Sequence, residues 1–534
     1  MKTHEEQALD RRSFLRRAAV LGAGVIGMGS VACSQQPSAN DQRTAGNATD
    51  DTNDSDRDID ILETFDSDIV VIGSGSTGTA AALRGAELGA RVIMIEQLSE
   101  SFYGGSSALT SGVFGLGTTV QKELGIATKT VEEYFLYANN YHKGSFNSRV
   151  FKNFLMQSAP TVEWLLSLGV EFATVVLDVF HIYKTESGKT KEALEFLYEK
   201  GKAFNVQYEF DTTALKILFD GKVTGLVARR EDGAGIQINA PVVIIATGGY
   251  AGNEEMLVQF TNYGTSPFID SGIPGRRGDG IRMATEIGAA LHHPEALNTG
   301  QLVMKGGGTL GSELGSMPIA RPESVLINQN GVRFMSESFG NDQAFSLNPS
   351  ALQNQTINIL DQAAVDTMIS TGILGWDLSY VTFPDLQEQI DSEISKGNAF
   401  KADSYSELAN LLSIDSQMLK ETMDDYNSYC AAGLDADFYK TPEALVPLTT
   451  GPFYALLLQQ SLMNTVGGLK VDENARVIDA EGKPIPGLYA GGSDAGAIFG
   501  FNYDIDGLPS SMQGWCSTSG KLAAEDAVNA YIAL

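Results

Sequence analysis

The chain has 534 residues, too many for one ordinary core, and this length argues for two or three structural units. Hydrophobic residues make up 43% and charged residues 19%, the profile of a globular soluble protein. With 37 basic and 66 acidic side chains the net charge is −29, which argues against nucleic acid and anionic membrane surfaces as partners.

At the N-terminus, Arg11-Arg12-Ser13-Phe14-Leu15-Arg16 matches the twin-arginine pattern of an export signal. A Gly/Ala-rich apolar stretch, Ala18 to Val31, follows it and is too short to span a bilayer comfortably. Ser30-Val31-Ala32-Cys33 resembles a lipoprotein cleavage box, with Cys33 as the residue that would carry the lipid. Residues 1–33 therefore read as a targeting signal for folded cargo. The expected location is extracytoplasmic, in the periplasm or on the outer face of the cell membrane, with membrane attachment only through that anchor. Residues 34–66 are dominated by Asp, Asn, Ser, Thr and Gln and are predicted to be a disordered acidic linker.

Ile69 to Ile72 is a short β-branched run, the pattern of a buried parallel strand. Gly73, Gly75 and Gly78 then spell GxGxxG, with Ser76 and Thr77 between the second and third glycines. The first glycine turns the chain, the second admits a pyrophosphate to the backbone, and the third allows a helix to pack closely on the strand. A small-residue helix, Thr79 to Leu88, is expected to present its N-terminus to the phosphates. A second strand, Arg91 to Ile95, ends at Glu96, 21 residues past Gly75, where an acid can hold ribose hydroxyls. Strand, turn, helix, strand and acid in this register point to an adenine dinucleotide.

Further on, Val242 to Ala246 reads as another buried strand, followed by Thr247-Gly248-Gly249. "GKPIPGLYAGGSDAG" repeats the strand-to-Gly-Gly turn at Gly491 and Gly492. Together with "FYGGSSALTSG" (Phe102 to Gly112), "GDGIRMATEIGAAL" and "INQNGVRFMSES", these segments resemble the fumarate reductase/succinate dehydrogenase flavoprotein superfamily, which also holds the 3-ketosteroid dehydrogenases. The resemblance runs from Asp68 to near the C-terminus. It implies an α/β fold: a Rossmann-like FAD-binding domain with an inserted α+β capping domain. FAD would be held non-covalently by the GxGxxG residues, Glu96, Gly104, Gly105, Ser106, Ser107, Ser111, Gly112, Ala246, Thr247, Gly248, Gly249, Asp279, Gly491, Gly492, Ser510 and Ser511. The FAD-binding parts would be residues 67–297 and 464–534, and the cap residues 298–463. The last helix, starting near Ser510-Ser511, would aim its N-terminus at the flavin pyrimidine and stabilise negative charge there.

On the substrate side the sequence departs from the fumarate reductases. Where they place two arginines and a histidine for a dicarboxylate, this chain has Asn341, Tyr503 and Asn464. All three are neutral, and a dicarboxylate needs fixed positive charge. Tyr503-Asp504-Ile505-Asp506-Gly507 is closer to the ketosteroid dehydrogenases, where a tyrosine and a glycine four residues on donate hydrogen bonds to the substrate ketone. That assigns Tyr503 and Gly507 to carbonyl polarisation. Asn341 stands where that branch has its cap tyrosine. Candidates for the acid or base are Tyr503, Asp504, Asp506 and Tyr250.

The three cysteines, Cys33, Cys430 and Cys516, form no CxxC or CxxCH spacing, so no iron–sulfur, zinc-knuckle or haem site is encoded. Cys430 and Cys516 read as two buried thiols, with a disulfide as the alternative. His292-His293 lacks further ligands at metal spacing, and no metal is expected. The expected activity is reduction of an activated C=C bond: hydride passes from flavin N5 to the β-carbon and an acid protonates the α-carbon. A neutral pocket would favour an uncharged or bulky enone. Electrons would come from a separate donor, such as a membrane-anchored cytochrome or a quinol-linked protein. Ketosteroid-type dehydrogenation and an exported electron carrier or binding module are the alternatives.

Overall fold

Ile69–Ile72, Val92–Ile95 and Val242–Ile245 are runs of Val, Ile and Met in which every residue is buried. Strands apolar on both faces need cover on both sides, and they lie at the centre of a six-stranded sheet. Its order is 476–478, 484–490, 242–245, 69–72, 92–95, 207–209, parallel except for the edge strand Arg476–Ile478. The structure, a computed structural model, describes residues 59–261, 268–270, 272–306, 321, 323–339, 349–374, 380–505 and 507–532. The expected signal at residues 1–33, most of the expected linker, Asn341 and Asp506 lie outside the described residues.

The helix after the first strand spans Ser76–Glu87, starting three residues before the expected Thr79, with Gly75 as its N-cap. Gly73 takes φ +105, where a Cβ would lie 2.2 Å from the Ala246 carbonyl oxygen. A Cβ on Gly78 would lie 1.8 Å from the Gly73 oxygen, so helix and strand meet at backbone contact. The C-terminal helix, Ser511–Tyr531, packs on the same helix: a Cβ on Gly520 would stand 2.1 Å from the Thr77 oxygen.

The acidic linker ends earlier than expected. Ile61–Asp66 is a strand, paired in parallel with Gly235–Asn239 at the edge of a four-stranded sheet. Apolar Ile61, Leu62 and Phe65 interrupt the polar composition there, and Gly235 makes room, since a Cβ on it would lie 2.6 Å from the Asp60 oxygen. Arg230 adds an ion pair to Glu63 at 3.0 Å.

A second six-stranded sheet is built on the long strand Phe453–Thr465, which takes 269–270, 297–304, 356–361 and 399–402 as partners, with 325–328 beyond 356–361. The "GVRFMSE" segment is locked beside it by buried charge. Arg333 Nη2 donates to Glu337 Oε2 and to Asp435 Oδ2, each at 2.8 Å, and Lys440 Nζ lies 3.5 Å from Glu337. Deleting one partner of a buried pair leaves an uncompensated charge. Arg333→Leu is therefore expected to cost about 3–5 kcal/mol, read as a lowered midpoint in urea unfolding. Cys430 and Cys516 are free thiols, and Cys430 is only half-buried, so the expectation of two buried thiols holds for Cys516 alone.

Candidate active site

The glycine turn, the segment 105–111 and the second Gly-Gly turn face one cavity of about 1340 Å³. Ordinary small-molecule sites measure roughly 300–1,000 Å³, so this one has room for a large cofactor and more. Of the residues expected from sequence, Gly73, Gly75, Ser76, Thr77, Glu96, Gly105, Ser106, Ser107, Ser111, Ala246, Thr247, Gly248, Asp279, Gly491, Ser510 and Tyr503 line it. Gly78, Gly104, Gly112, Gly249, Gly492 and Ser511 are not in its wall. Four of these six glycine and serine positions act through packing. A Cβ would lie 1.8 Å from the Gly73 oxygen at Gly78, 2.0 Å from the His181 oxygen at Gly112, 2.2 Å from Thr465 Oγ1 at Gly249, and 2.3 Å from Thr77 Oγ1 at Gly492.

The wall fits a dinucleotide. A Cβ on Gly75 would meet nothing nearer than Ser107 Oγ at 3.8 Å, so this position opens on the cavity. Neither the Ser76–Glu87 helix nor the Ser511–Tyr531 helix has a side-chain bond from its N-cap residue, and both start at the cavity wall, where the positive end of a helix favours an anionic ligand. Glu96 is held at the wall by the Ser74 amide (2.9 Å), the Ser74 hydroxyl (2.8 Å) and the Leu98 amide (3.0 Å). Gln513 donates to the Ser76 hydroxyl and ties the start of one helix to the start of the other.

Asp494 organises the second turn, a role that sequence reading missed although "GGSDAG" contains it. Fully buried, its carboxylate accepts from Thr247 Oγ1 (2.7 Å), the Gly248 amide (2.9 Å) and the Gly249 amide (3.2 Å). Burial pushes its pKa up against these donors.

Tyr503 lines the cavity, and among the described acid–base candidates no other does. Its hydroxyl faces the Ser511 side chain and the amides of Ser510 and Met512, at the N-terminus of the last helix, and lies 3.5 Å from the Leu508 oxygen. Burial raises its pKa. Tyr250 is engaged elsewhere, donating to the Pro294 carbonyl. The expectation for Gly507 is corrected: its amide donates to Asp504 Oδ1 at 2.9 Å, and a Cβ there would lie 2.1 Å from the Tyr137 ring. That N–H serves the loop itself and is not offered to a ligand.

Asn464, like Tyr503, lines the cavity as a neutral side chain, and charged side chains stand elsewhere in the same wall, among them Glu96, Asp279 and Arg276. Arg276, 3% exposed, lines the cavity beside Asn298, Met463 and Asn464. Its Nε donates to the Ile273 oxygen at 3.2 Å and its Nη1 to the Met463 oxygen. Asn298 Nδ2 donates to Asn464 Oδ1 at 2.5 Å, and Asn464 Nδ2 to Ser493 Oγ at 2.9 Å. Nothing local in "PGRRGDG" marks the first arginine as buried; the fold turns it inward.

A parallel sheet with a glycine turn, an acid on the next strand and a second Gly-Gly turn around one cavity defines the class of dinucleotide-binding flavoproteins. Residues 68–508 match the FAD binding domain family, and the chain belongs to it. A vinyl phenol reductase of Lactiplantibacillus plantarum is 33% identical over 487 residues, covering 85% of this chain and 94% of the relative. The open conformation of a flavocytochrome c3 fumarate reductase superposes with a TM-score of 0.67 at 25% identity, over 88% of this chain and 79% of that one. The 3-ketosteroid-Δ4-(5α)-dehydrogenase of Rhodococcus jostii RHA1 shares the fold, with a TM-score of 0.68 at 22% identity over 86% of this chain and 97% of that one. The cofactor is FAD, and the chemistry is that of an FAD-dependent oxidoreductase acting on carbon–carbon bonds.

Proposed function

We propose that the protein reduces a C=C bond conjugated to a carbonyl or an aryl group. The observation that carries this reading is the single cavity joining the dinucleotide-binding turns to Tyr503 and Asn464. FAD, when bound, supplies a hydride and stores the two electrons that replace it. The chain's residues supply the rest. The positive end of the Ser511–Tyr531 helix, at the cavity wall, favours negative charge. The raised pKa of Tyr503 makes its phenol a hydrogen-bond donor that keeps its proton, suited to polarising a carbonyl as enolate charge develops. The vinyl phenol reductase likeness supports the reductive direction. The same placement of Tyr503 supports a second reading, ketosteroid-type dehydrogenation, which runs the hydride path backwards.

Reduced methyl viologen, offered anaerobically to the holoenzyme, tests this reading. Enones and vinylarenes are expected to drive its oxidation, and fumarate, a dicarboxylate, is not. Oxidation by fumarate alone would overturn it.

The domain limits we propose are 67–297 and 464–534 for the FAD-binding parts and 298–463 for the cap; in their support, all six strands of the first sheet lie outside 298–463, while the second sheet draws its strands mainly from that range and takes the short strand 269–270 from outside it. In this reading the electron donor is a separate membrane-anchored cytochrome or quinol-linked protein. Export by the twin-arginine route follows from Arg11-Arg12, since an FAD-loaded protein must cross the membrane folded. Replacing both arginines by lysine is expected to leave folded, yellow protein in the cytoplasm, scored by fractionation. Normal export of that variant would contradict the assignment.

A further inference from the structure

Leu177 holds a backbone conformation that leucine rarely adopts. In the hairpin of Phe172–Val176 and Phe180–Tyr183, Val176 pairs with Phe180, so the loop is Leu177-Asp178-Val179. Leu177 takes φ 49 and Asp178 φ 65, in the left-handed region that suits glycine, asparagine or aspartate and penalises leucine. The Val179 amide donates to the Leu177 carbonyl at 2.8 Å, closing a tight three-residue turn over Asp178. Such a conformation persists only where its surroundings impose it. Here they do. Gln121 Nε2 donates to the Asp178 carbonyl at 2.6 Å, and Gln121 is itself fixed by the amides of Gly117 and Thr118, each donating to its Oε1 at 2.7 Å. Val179 is fully buried, and its carbonyl accepts from the Gly115 amide at 3.0 Å.

The Leu177 side chain is 42% exposed and yet lines the cavity, which sets it at the mouth. Val176, Phe180 and Ile182 of the same hairpin are also in the wall. The hairpin borders the end that holds Tyr503. Its Ile182 pairs with Gly112, whose carbonyl accepts from Ser510 Oγ at 2.8 Å, at the start of the last helix. An exposed leucine contributes little burial to the fold, and its backbone conformation works against the fold. Closing over an apolar ligand would supply the burial and account for the strain. Resting on the alkene-reductase reading, we propose that Leu177 is a specificity-determining residue of the substrate site, an apolar cover that the strained turn holds over the body of the bound alkene. A substrate with a ring on its C=C bond then gains burial against Leu177 that a small alkene of the same chemistry does not.

The test uses the oxidised holoenzyme and two saturated ketones that differ in one group, 4-phenylbutan-2-one and pentan-2-one, each titrated while the flavin absorbance is followed. The wild type is expected to bind the phenyl compound more tightly. Leu177→Gly and Leu177→Asn are expected to keep their FAD and to bind the phenyl compound roughly tenfold more weakly, as for the loss of part of a buried leucine, with pentan-2-one little changed. Leu177→Met should keep most of the preference. Thermal unfolding adds a readout that a packing role would move the other way: Leu177→Asn should melt no earlier than the wild type, because asparagine accepts the left-handed backbone. A phenyl preference unchanged in Leu177→Gly and Leu177→Asn, or an equal loss for both ketones, would overturn the proposal. So would wild type that binds neither ketone, earlier melting of Leu177→Asn, or colourless variants, which would place Leu177 on the cofactor. If Leu177→Gly does not fold, Leu177→Asn decides. Reoxidation of the reduced wild type by 4-phenylbut-3-en-2-one is scored separately. Its absence beside a phenyl preference that depends on Leu177 would sink the reductase reading and leave Leu177 as an apolar cover.

Discussion

Gly75→Val protein is expected to fold and to purify colourless. Gly75 sits at φ −63 and ψ 179, a conformation open to any residue, so valine introduces no backbone strain. Its side chain would also meet little protein, since the nearest atom to a Cβ there is Ser107 Oγ at 3.8 Å. It must therefore project into the cavity, at the start of the uncapped helix where a pyrophosphate has to reach the backbone. Cofactor loss without loss of fold is the signature, read as the flavin-to-protein absorbance ratio beside an unchanged circular dichroism spectrum. Full FAD content would show that the phosphate turn lies elsewhere. Gly73 provides the contrast. At φ +105, with the Ala246 oxygen 2.2 Å from a new Cβ, its substitution should damage folding itself.

The second large effect is expected at Tyr503. Tyr503→Phe removes one oxygen from the start of the last helix, where Tyr503 lines the cavity and its hydroxyl faces the amides of Ser510 and Met512. Loss of one donor aimed at developing oxyanion charge typically lowers turnover roughly 10²–10³-fold. The ring should stay in place, because it packs edge-on against Phe499 with centroids 5.2 Å apart, so FAD content and thermal stability should change little. Turnover equal to wild type would return Tyr503 to a packing role. An equal fall in FAD content would mark it as a cofactor-site residue instead.

The cofactor half of the site was legible because its signals are local. A β-branched run, three glycines, an acid 21 residues on and the Thr247-Gly248-Gly249 turn each sit within one supersecondary unit, and the fold brings Ile72, Gly73, Gly75, Glu96, Thr247 and Gly248 to one wall. Residues whose roles depend on distant partners were not legible. Asp494 reads as one more polar residue after a Gly-Gly turn until the fold sets it under Thr247, 247 positions earlier. Gln513 meets Ser76 only because two helices far apart in the chain start side by side. Arg276 turns inward because Gly272 vacates space for it, a contact that no periodicity encodes. Gly507 misled for the opposite reason: its position in the pattern fits a ligand donor, but Asp504 three residues earlier takes its amide. The linker boundary slipped because Ile61–Asp66, an exposed edge strand, has too few apolar residues to stand out from the polar run before it.

The central claim is that this cavity passes hydride to a conjugated double bond, and single-turnover reoxidation tests it most directly. The purified holoenzyme is reduced anaerobically with one equivalent of dithionite and mixed with cinnamate, a vinyl phenol, an enone or a saturated ketone. At least one conjugated alkene is expected to restore the oxidised flavin spectrum with stoichiometric saturated product, and the saturated ketone is not. Flavin that stays reduced with every alkene, together with bleaching of the oxidised enzyme by the saturated ketone, would contradict it.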